Sequence, residues 1–194
     1  MTKSIDFYFD FISPYSYLAY KKLSKLNIDS KIIINYKPIL LGGLHNLEGI
    51  SPPAFNKHKM INMKNDCELV ALKNKIEFIW NSKFPINSLY LMRGYITVKN
   101  EIKKVFLDSC FDAYWKKNLD IADEKNINEI LQKVGLNINE FFENIQNPKI
   151  KDKLKEFTQE AFDKNIFGAP TFVVNNKIFW GQDRLDYALD EYNS

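Results

Sequence analysis

Cysteine is scarce in this 194-residue chain, which has only Cys67 and Cys110, far apart and without a CxxC pair. This scarcity argues against a disulfide scaffold, a structural zinc site and a dithiol redox centre. Both cysteines fall within helical patterns, so we expect them to be buried as small apolar side chains. His45 and His58 stand alone without a partner motif, and we therefore expect no metal site.

Arginine is also rare, because the 27 basic residues include only Arg93 and Arg184. The net charge is only +3, and the lysines are scattered among 24 carboxylates rather than massed in one stripe. Arginine makes the bidentate contacts that read phosphates and bases, so its near absence argues against a nucleic-acid partner. Long apolar runs are missing too, and the amino-terminal residues show no signal-type stretch. We therefore expect a cytoplasmic chain without a membrane partner.

What is present is ordinary globular composition, with 45% hydrophobic residues in a chain long enough to bury a core. Residues 5–12 are β-rich and mostly apolar, as in a central strand. Ser13-Pro14 is a helix-start signal, and apolar spacing continues the helix to about Leu26. Residues 31–40 predict the next strand. Two strands joined by a helix of this length indicate a parallel βαβ unit.

The middle of the chain loses this alternation and predicts an all-helical block. Helical patterns cover six segments, which are residues 57–76, 87–98, 100–116, 124–134, 137–141 and 148–164.

The last part of the chain returns to strands. Residues 171–174 and 177–180 flank Asn175-Asn176, a dipeptide that suits a tight hairpin turn, and residues 181–192 predict an amphipathic helix. The order β-α-β, helical block, β-β-α predicts an α/β thioredoxin-like fold interrupted by a helical insert. The predicted thioredoxin-like domain comprises residues 1–43 and 166–194, and the inserted helical domain comprises residues 44–165.

Ser13 lies where a predicted central strand ends and the next helix begins. Ligands bind at this edge of a parallel sheet, and the helix macrodipole favours an anion there. Thioredoxin-like redox enzymes carry a CxxC motif at this place, but this chain has Ser13-Pro14-Tyr15-Ser16. Hydroxyls replace both sulfurs, so disulfide exchange by protein cysteines is excluded here. Simple helix capping by Ser13 is the alternative interpretation.

A second signal is Ala169-Pro170-Thr171, just before the third predicted strand. Thioredoxin-like folds place a cis-proline here, opposite the active helix. A cis bond exposes the backbone of the preceding residue for pairing with an extended ligand. An ordinary proline at the start of a strand is the alternative.

The pieces FYFDFISPYSYLA, FGAPTFVV and FWGQDRL resemble, in order and spacing, the 2-hydroxychromene-2-carboxylate isomerases and the related kappa-class glutathione transferases, which share a DsbA-like thioredoxin fold. The resemblance covers the full chain and implies a homodimer that uses glutathione as its cofactor. It also implies that the Ser13 hydroxyl donates a hydrogen bond to the glutathione sulfur. This bond and the helix end both favour the thiolate, which is the nucleophilic form.

The resemblance assigns the other glutathione contacts residue by residue. The backbone of Ala169, beside Pro170, pairs with the cysteinyl part, and Gln182 and Asp183 hold the γ-glutamyl end. A first-turn helix acid is the alternative reading of Asp183. Two further contacts come from the insert, Lys59 and Asp66.

The second substrate implied by the resemblance is a small aromatic pyruvate. Three polar positions match the family's acceptor pocket, namely Lys37, Asn87 and Arg93, and Lys37 could meet the substrate carboxylate. The alternatives are a solvated strand end for Lys37 and a surface ion pair for Arg93.

The implied activity is a glutathione-dependent isomerisation of the 2-hydroxychromene-2-carboxylate and trans-o-hydroxybenzylidenepyruvate type. Reversible addition of the thiolate turns a C=C bond into a rotatable single bond, with no net consumption of glutathione. The same site would support transferase or peroxidase activity, as in the kappa class. A thioredoxin-like protein that only binds peptides is the third reading.

Overall fold

The centre of the molecule is a four-stranded mixed sheet with the strand order β2-β1-β3-β4. The computed structural model describes residues 3–26 and 32–194. β1 pairs in parallel with β2 and antiparallel with β3, and β3 pairs antiparallel with β4. The strands are β1 (Ile5–Phe9), β2 (Ile34–Pro38), β3 (Thr171–Val174) and β4 (Lys177–Trp180).

Nine α-helices lie within the described residues, and a short 3-10 helix (Pro53–Phe55) precedes the third. Their bounds are α1 (Pro14–Leu26), α2 (Leu41–Leu47), α3 (Lys57–Lys73), α4 (Leu89–Thr97), α5 (Asn100–Trp115), α6 (Glu124–Lys133), α7 (Ile138–Gln146), α8 (Pro148–Asp163) and α9 (Leu185–Asn193). The predicted order β-α-β, helices, β-β-α is therefore confirmed. None of the helices in the described ranges is long and apolar enough to cross a membrane.

Aromatic side chains on β1 form the middle of the core. Ile5, Phe7 and Phe9 are fully buried. Phe7 stacks on Phe172 of β3 with ring centroids 5.1 Å apart, and Phe9 contacts Phe111 of α5 at 5.9 Å. One continuous cluster therefore joins the sheet to the helical insert.

The insert is also hydrogen-bonded to the segment that follows β1. The indole nitrogen of Trp115 donates to the carbonyl of Phe11 over 2.8 Å, and the sulfur of Met92 accepts from the amide of Phe11 over 3.5 Å. α2 spans residues 43 and 44, where the two predicted domains meet. The division into two domains stays a prediction.

Several element ends differ from the prediction. β1 ends at Phe9 rather than at residue 12, because the Asp10 carboxylate draws the chain into a turn and accepts from the amide of Ile12. β2 is shorter than the predicted 31–40, and Lys31 lies outside the described residues. α9 begins at Leu185 rather than 181, because Gly181 adopts a positive φ of 118° that a helix does not accommodate.

One helix is absent from the sequence pattern, and another is longer than the pattern indicates. α2 occupies residues where Gly42-Gly43 predicts only the end of a strand. α7 continues to Gln146 rather than to residue 141, because Phe141 and Ile145, four positions apart, are buried on one face. The hairpin prediction is confirmed, since Asn175 and Asn176 have φ values of 50° and 64° between β3 and β4.

Candidate active site

The hydroxyl of Ser13 connects the start of α1 to the segment before β3. Ser13 is 4% exposed. Its Oγ donates to the carbonyl oxygen of Ala169 over 3.1 Å and accepts from the amide of Ser16 over 3.1 Å. The second contact is an N-cap bond, so the structure shows the helix capping that was the alternative interpretation of Ser13. A hydroxyl held at the positive end of α1 is placed to donate to an anionic atom.

The Ala169-Pro170 peptide bond is cis, as predicted. The carbonyl of Pro170 accepts from the amide of Gly181 over 3.0 Å, so the segment is tied to the end of β4. Ala169 is half-buried. The structure therefore brings together Ser13, Ala169 and Pro170, the three residues that the two sequence signals singled out.

Asp10 holds the strand end beneath this site. Its carboxylate accepts from the amide of Ile12 over 3.1 Å, the amide of Leu41 over 2.9 Å and the hydroxyl of Ser88 over 2.6 Å. Burial raises the pKa of Asp10, and these hydrogen bonds oppose the rise only in part. In addition, the amide of Ser13 donates to the Asp10 carbonyl over 3.1 Å. Asp10 thereby fixes the loop before α1 against α2 and the start of α4.

Asp66 lies on α3 beside the first turn of α1. Burial, the neighbouring thiol of Cys67 and a hydrogen bond with Asp66 together raise the pKa of Tyr15. Because Tyr15 follows Ser13 by two residues, this contact brings Asp66 to the edge of the site. Lys59, near the start of the same helix, is exposed, and its amide donates to Asn56.

Gln182 and Asp183 occupy the segment between β4 and α9. Gln182 is 8% exposed, and both its side-chain oxygen and its carbonyl accept from the ammonium group of Lys22 on α1. Asp183 is exposed and forms an ion pair of 3.0 Å with Arg184. Burial lowers the pKa of Lys22, while the charges of Asp186, Asp183 and Asp66 oppose this effect. Lys22 therefore lies among acidic residues of the last segment, with its ammonium group on Gln182.

The three positions expected to contact the second substrate are not all together. Asn87 is exposed and lies just before the cap residue of α4, where its side-chain oxygen accepts from the amide of Leu89 over 2.9 Å. It is adjacent in sequence to Ser88, which binds Asp10. Arg93 lies further along α4, and burial lowers its pKa. Lys37 instead pairs with Asp6 and lines a cavity whose walls include neither Ser13 nor Asn87.

Comparison with known proteins identifies the family and supports the fold. The profile of the DSBA-like thioredoxin domain matches residues 4–193. The chain belongs to this family. It is 30% identical over 194 residues to the 2-hydroxychromene-2-carboxylate isomerase of Sphingobium xenophagum. This alignment covers 99% of this chain and 98% of the relative. The predicted thioredoxin-like fold and the predicted relationship to an isomerase family are both confirmed.

Two further matches support this placement of the DSBA-like protein. A solved structure of a 2-hydroxychromene-2-carboxylate isomerase superposes with a TM-score of 0.90 at 27% identity and covers 97% of this chain and 94% of that chain. Glutathione S-transferase kappa 1 of Homo sapiens is 25% identical and covers 96% of this chain and 89% of the relative. The chain is therefore similar to enzymes of two named activities.

Sequence reasoning missed two residues of this DSBA-like site. They are Asp10 and Lys22. The only sequence signal for Asp10 is a carboxylate at the end of an otherwise apolar strand. Lys22 belongs to a helix with several lysines, and only the tertiary contact with Gln182 distinguishes it.

The cysteines behave as expected for small core residues. Cys67 and Cys110 are fully buried and unpaired. Burial raises the pKa of both thiols. Neither is therefore an activated nucleophile.

Proposed function

We propose that this protein is a glutathione-dependent isomerase of the 2-hydroxychromene-2-carboxylate type, acting on an unsaturated aromatic pyruvate. The observation that carries the proposal is the Ser13 hydroxyl, held at the amino end of α1 against the cis Ala169-Pro170 bond in a chain that lacks CxxC. The full-length match to enzymes named as isomerases supports the reaction class. The name of the kappa-class relatives supports glutathione.

The residues present fit glutathione chemically. Ser13 offers a hydroxyl for a sulfur atom, and the backbone before Pro170 offers polar groups for the peptide part. Near Gln182, the ammonium group of Lys22 and the carboxylate of Asp183 provide charges of both signs, which suit the zwitterionic γ-glutamyl end. We propose Lys59 and Asp66 as further contacts from α3.

Bound glutathione would supply a thiolate that adds reversibly to the substrate double bond. The protein contributes to this chemistry by electrostatic stabilisation. Ser13 moves its donated hydrogen bond from the Ala169 carbonyl to the sulfur, while the amide of Ser16 keeps its oxygen in place. The helix end favours the same negative charge. Asn87 and Arg93 are proposed to face the substrate and to stabilise the charge that develops on its carbonyl oxygen.

We also propose a cytoplasmic homodimer. Two buried, unpaired thiols fit a reducing compartment. The resemblance to dimeric relatives supports the oligomeric state, which light scattering of the purified protein measures directly.

Replacement of Ser13 tests the proposal. We expect Ser13→Ala to lower isomerase turnover of 2-hydroxychromene-2-carboxylate by about tenfold to a hundredfold, because the variant loses a charge-assisted hydrogen bond worth roughly 1.5–3 kcal/mol. Ser24→Ala is the matched control, since it removes a hydroxyl from the same helix about three turns away. Equal turnover of Ser13→Ala, Ser24→Ala and the unmodified protein would refute the role of Ser13.

A kappa-class-like glutathione transferase or peroxidase is the second candidate, favoured by the match to glutathione S-transferase kappa 1. One purified sample, assayed with a chromene carboxylate and with a chlorodinitrobenzene, discriminates the two. Turnover of the second substrate alone would select the transferase. Absence of glutathione binding together with retained peptide binding would select the peptide-binding alternative and exclude both enzymes.

A further inference from the structure

The cavity lined by Lys37 lies at the edge of the sheet, and Ser13 is not among its walls. Its volume is about 220 Å³. The walls come from β1, β2, the end of α4, the start of α5 and the second half of α8, and they comprise Tyr8, Tyr36, Lys37, Pro38, Tyr95, Ile96, Lys103, Phe157, Glu160 and Lys164. Because β2 is the outermost strand of the described sheet, the cavity opens beside a strand with no neighbour on that side.

Two tyrosines of this cavity have hydroxyls without a hydrogen-bond partner in the protein. Tyr8 and Tyr95 are each 4% exposed. Among the described residues, no protein group accepts a hydrogen bond from either hydroxyl. Neither oxygen belongs to the buried unpaired atoms of the described residues, so both hydroxyls open onto the cavity and are free to donate to a polar ligand there.

The charge of the cavity favours an anion. Three ammonium groups line it, from Lys37, Lys103 and Lys164, against the one carboxylate of Glu160. Lys37 also pairs with Asp6 over 4.0 Å, so the walls and this neighbour together carry a net charge of one positive unit. The ammonium nitrogen of Lys103 lies 5.5 Å from the centroid of the Tyr95 ring, which holds it at the wall of the cavity by a cation–π contact.

The remaining walls favour a flat apolar body. Tyr36, Tyr95 and Phe157 supply aromatic surface, and Pro38 and Ile96 supply aliphatic surface. Aromatic rings pack well in such surroundings. A cavity of about 220 Å³ is smaller than the roughly 300–1,000 Å³ of pockets for drug-sized ligands, so the ligand is small.

From these features we propose that the cavity binds a small aromatic carboxylate. The carboxylate accepts hydrogen bonds from Tyr8 and Tyr95 and pairs with Lys37 and Lys103, and the ring lies against the aromatic wall. The inference does not depend on the proposed isomerase activity.

Benzoate, titrated into the full-length protein by calorimetry, is the probe. We expect saturable binding, with benzyl alcohol and acetate each binding more weakly because the first lacks the charge and the second lacks the ring. Lys103→Met and Tyr95→Phe should each weaken benzoate binding by about threefold to tenfold, the size of one lost hydrogen bond or ion pair. Lys104→Met is the matched control, because this exposed lysine is the next residue on α5 and does not line the cavity.

Tyr95→Phe removes only the hydroxyl, so the variant retains the packing of the ring against Phe9. A thermal unfolding midpoint equal to that of the unmodified protein verifies its fold. Absence of saturable benzoate binding, or equal affinity in Lys103→Met and Lys104→Met, would overturn the proposal. So would acetate or benzyl alcohol binding as tightly as benzoate.

Ser13→Ala separates this site from the proposed active site. We expect the variant to bind benzoate with unchanged affinity. Loss of benzoate binding in Ser13→Ala but not in Lys103→Met would assign the ligand to the Ser13 site and overturn the inference. Failure of isomerase activity with benzoate binding intact would contradict only the proposed function.

Discussion

At the scale of single residues, the site depends on polar groups that are buried at the end of one strand. Asp10 is 1% exposed, and three donors surround its carboxylate, yet burial still raises its pKa. Ser13 follows in the same turn, with its amide on the Asp10 carbonyl. The hydrogen bonds of Asp10 therefore help to set the position of the Ser13 hydroxyl.

Asp10→Asn tests this support. One side-chain oxygen still serves Ile12 and Ser88, but the new amide group faces the amide of Leu41 donor to donor. We expect the free energy of unfolding to fall by about 1–3 kcal/mol, the cost of an unsatisfied buried group. Urea denaturation at several pH values measures it, and Ser88→Ala provides a second variant that removes only one of the three donors.

The pH dependence of that difference has a definite sign. The folded-state pKa of Asp10 is raised, so its contribution to stability is complete below the unfolded-state value of about 3.9 and is lost as the pH rises through the folded-state pKa. Asn at position 10 does not titrate. The stability advantage of the unmodified protein over Asp10→Asn should therefore be largest in acid and shrink as the pH rises. An advantage that grows with pH would contradict the raised pKa.

Lys22 offers a second test at this scale. We expect Lys22→Met to weaken glutathione binding by about threefold to tenfold, because Gln182 loses both hydrogen bonds from the ammonium group. Binding of cysteinylglycine, which lacks the γ-glutamyl end, should not change. Calorimetry with both thiols makes the comparison. Lys21→Met is a control on the same helix, because the ammonium group of Lys21 pairs with Asp108 and Asp112 rather than with Gln182. Equal weakening for the two thiols would show a general structural effect instead.

At the scale of elements, α4 connects the active site to the core of the insert. Its cap residue Ser88 binds Asp10, and its middle packs closely on α7 at Gly94. A Cβ atom added at Gly94 would overlap the ring of Phe141, which is itself 4% exposed and contacts Phe106. The glycine therefore sets the distance between the two helices.

Gly94→Ala should destabilise the protein although alanine favours helices. The intrinsic gain of about 1 kcal/mol is opposed by overpacking that costs about 1–3 kcal/mol, since the buried Phe141 ring must move. Gly43→Ala in α2 is the matched control, because its added Cβ would meet Leu40 and Thr158 at an ordinary 3.6 Å. The thermal unfolding midpoints of the two variants are compared. A Gly94→Ala midpoint equal to or above that of Gly43→Ala would contradict the close packing.

Local signals explain which elements the sequence could predict. Pro148 starts α8 as expected, because proline is pre-organised for the first helical turn. Asn175 and Asn176 adopt the positive φ that their turn requires. By contrast, glycine is a poor helix former, so no local rule indicates that Gly42-Gly43 belongs to α2. The packing of α2 against α8 decides that helix.

At the scale of the whole molecule, one aromatic core joins a thioredoxin-like sheet to a helical insert. The resemblance and the motifs at Ser13 and Pro170 were enough to predict the fold and the cis bond, because both motifs lie at the ends of strands whose order the sequence pattern already indicates. Lys37 shows what the sequence could not predict. Its place at the end of β2 was predictable, but the cavity that it lines depends on α4, α5 and α8 together.

Ser13 and the amino end of α1 are proposed to stabilise the thiolate of bound glutathione, which takes the place of a cysteine of the protein. The ultraviolet absorbance of the thiolate, followed against pH for glutathione bound to the unmodified protein and to Ser13→Ala, tests it most directly. We predict a bound-thiol pKa at least about one unit below the free value of about 8.5 in the unmodified protein, and a pKa closer to the free value in the variant. Equal pKa values in the two proteins, or no binding of glutathione to either, would contradict the account.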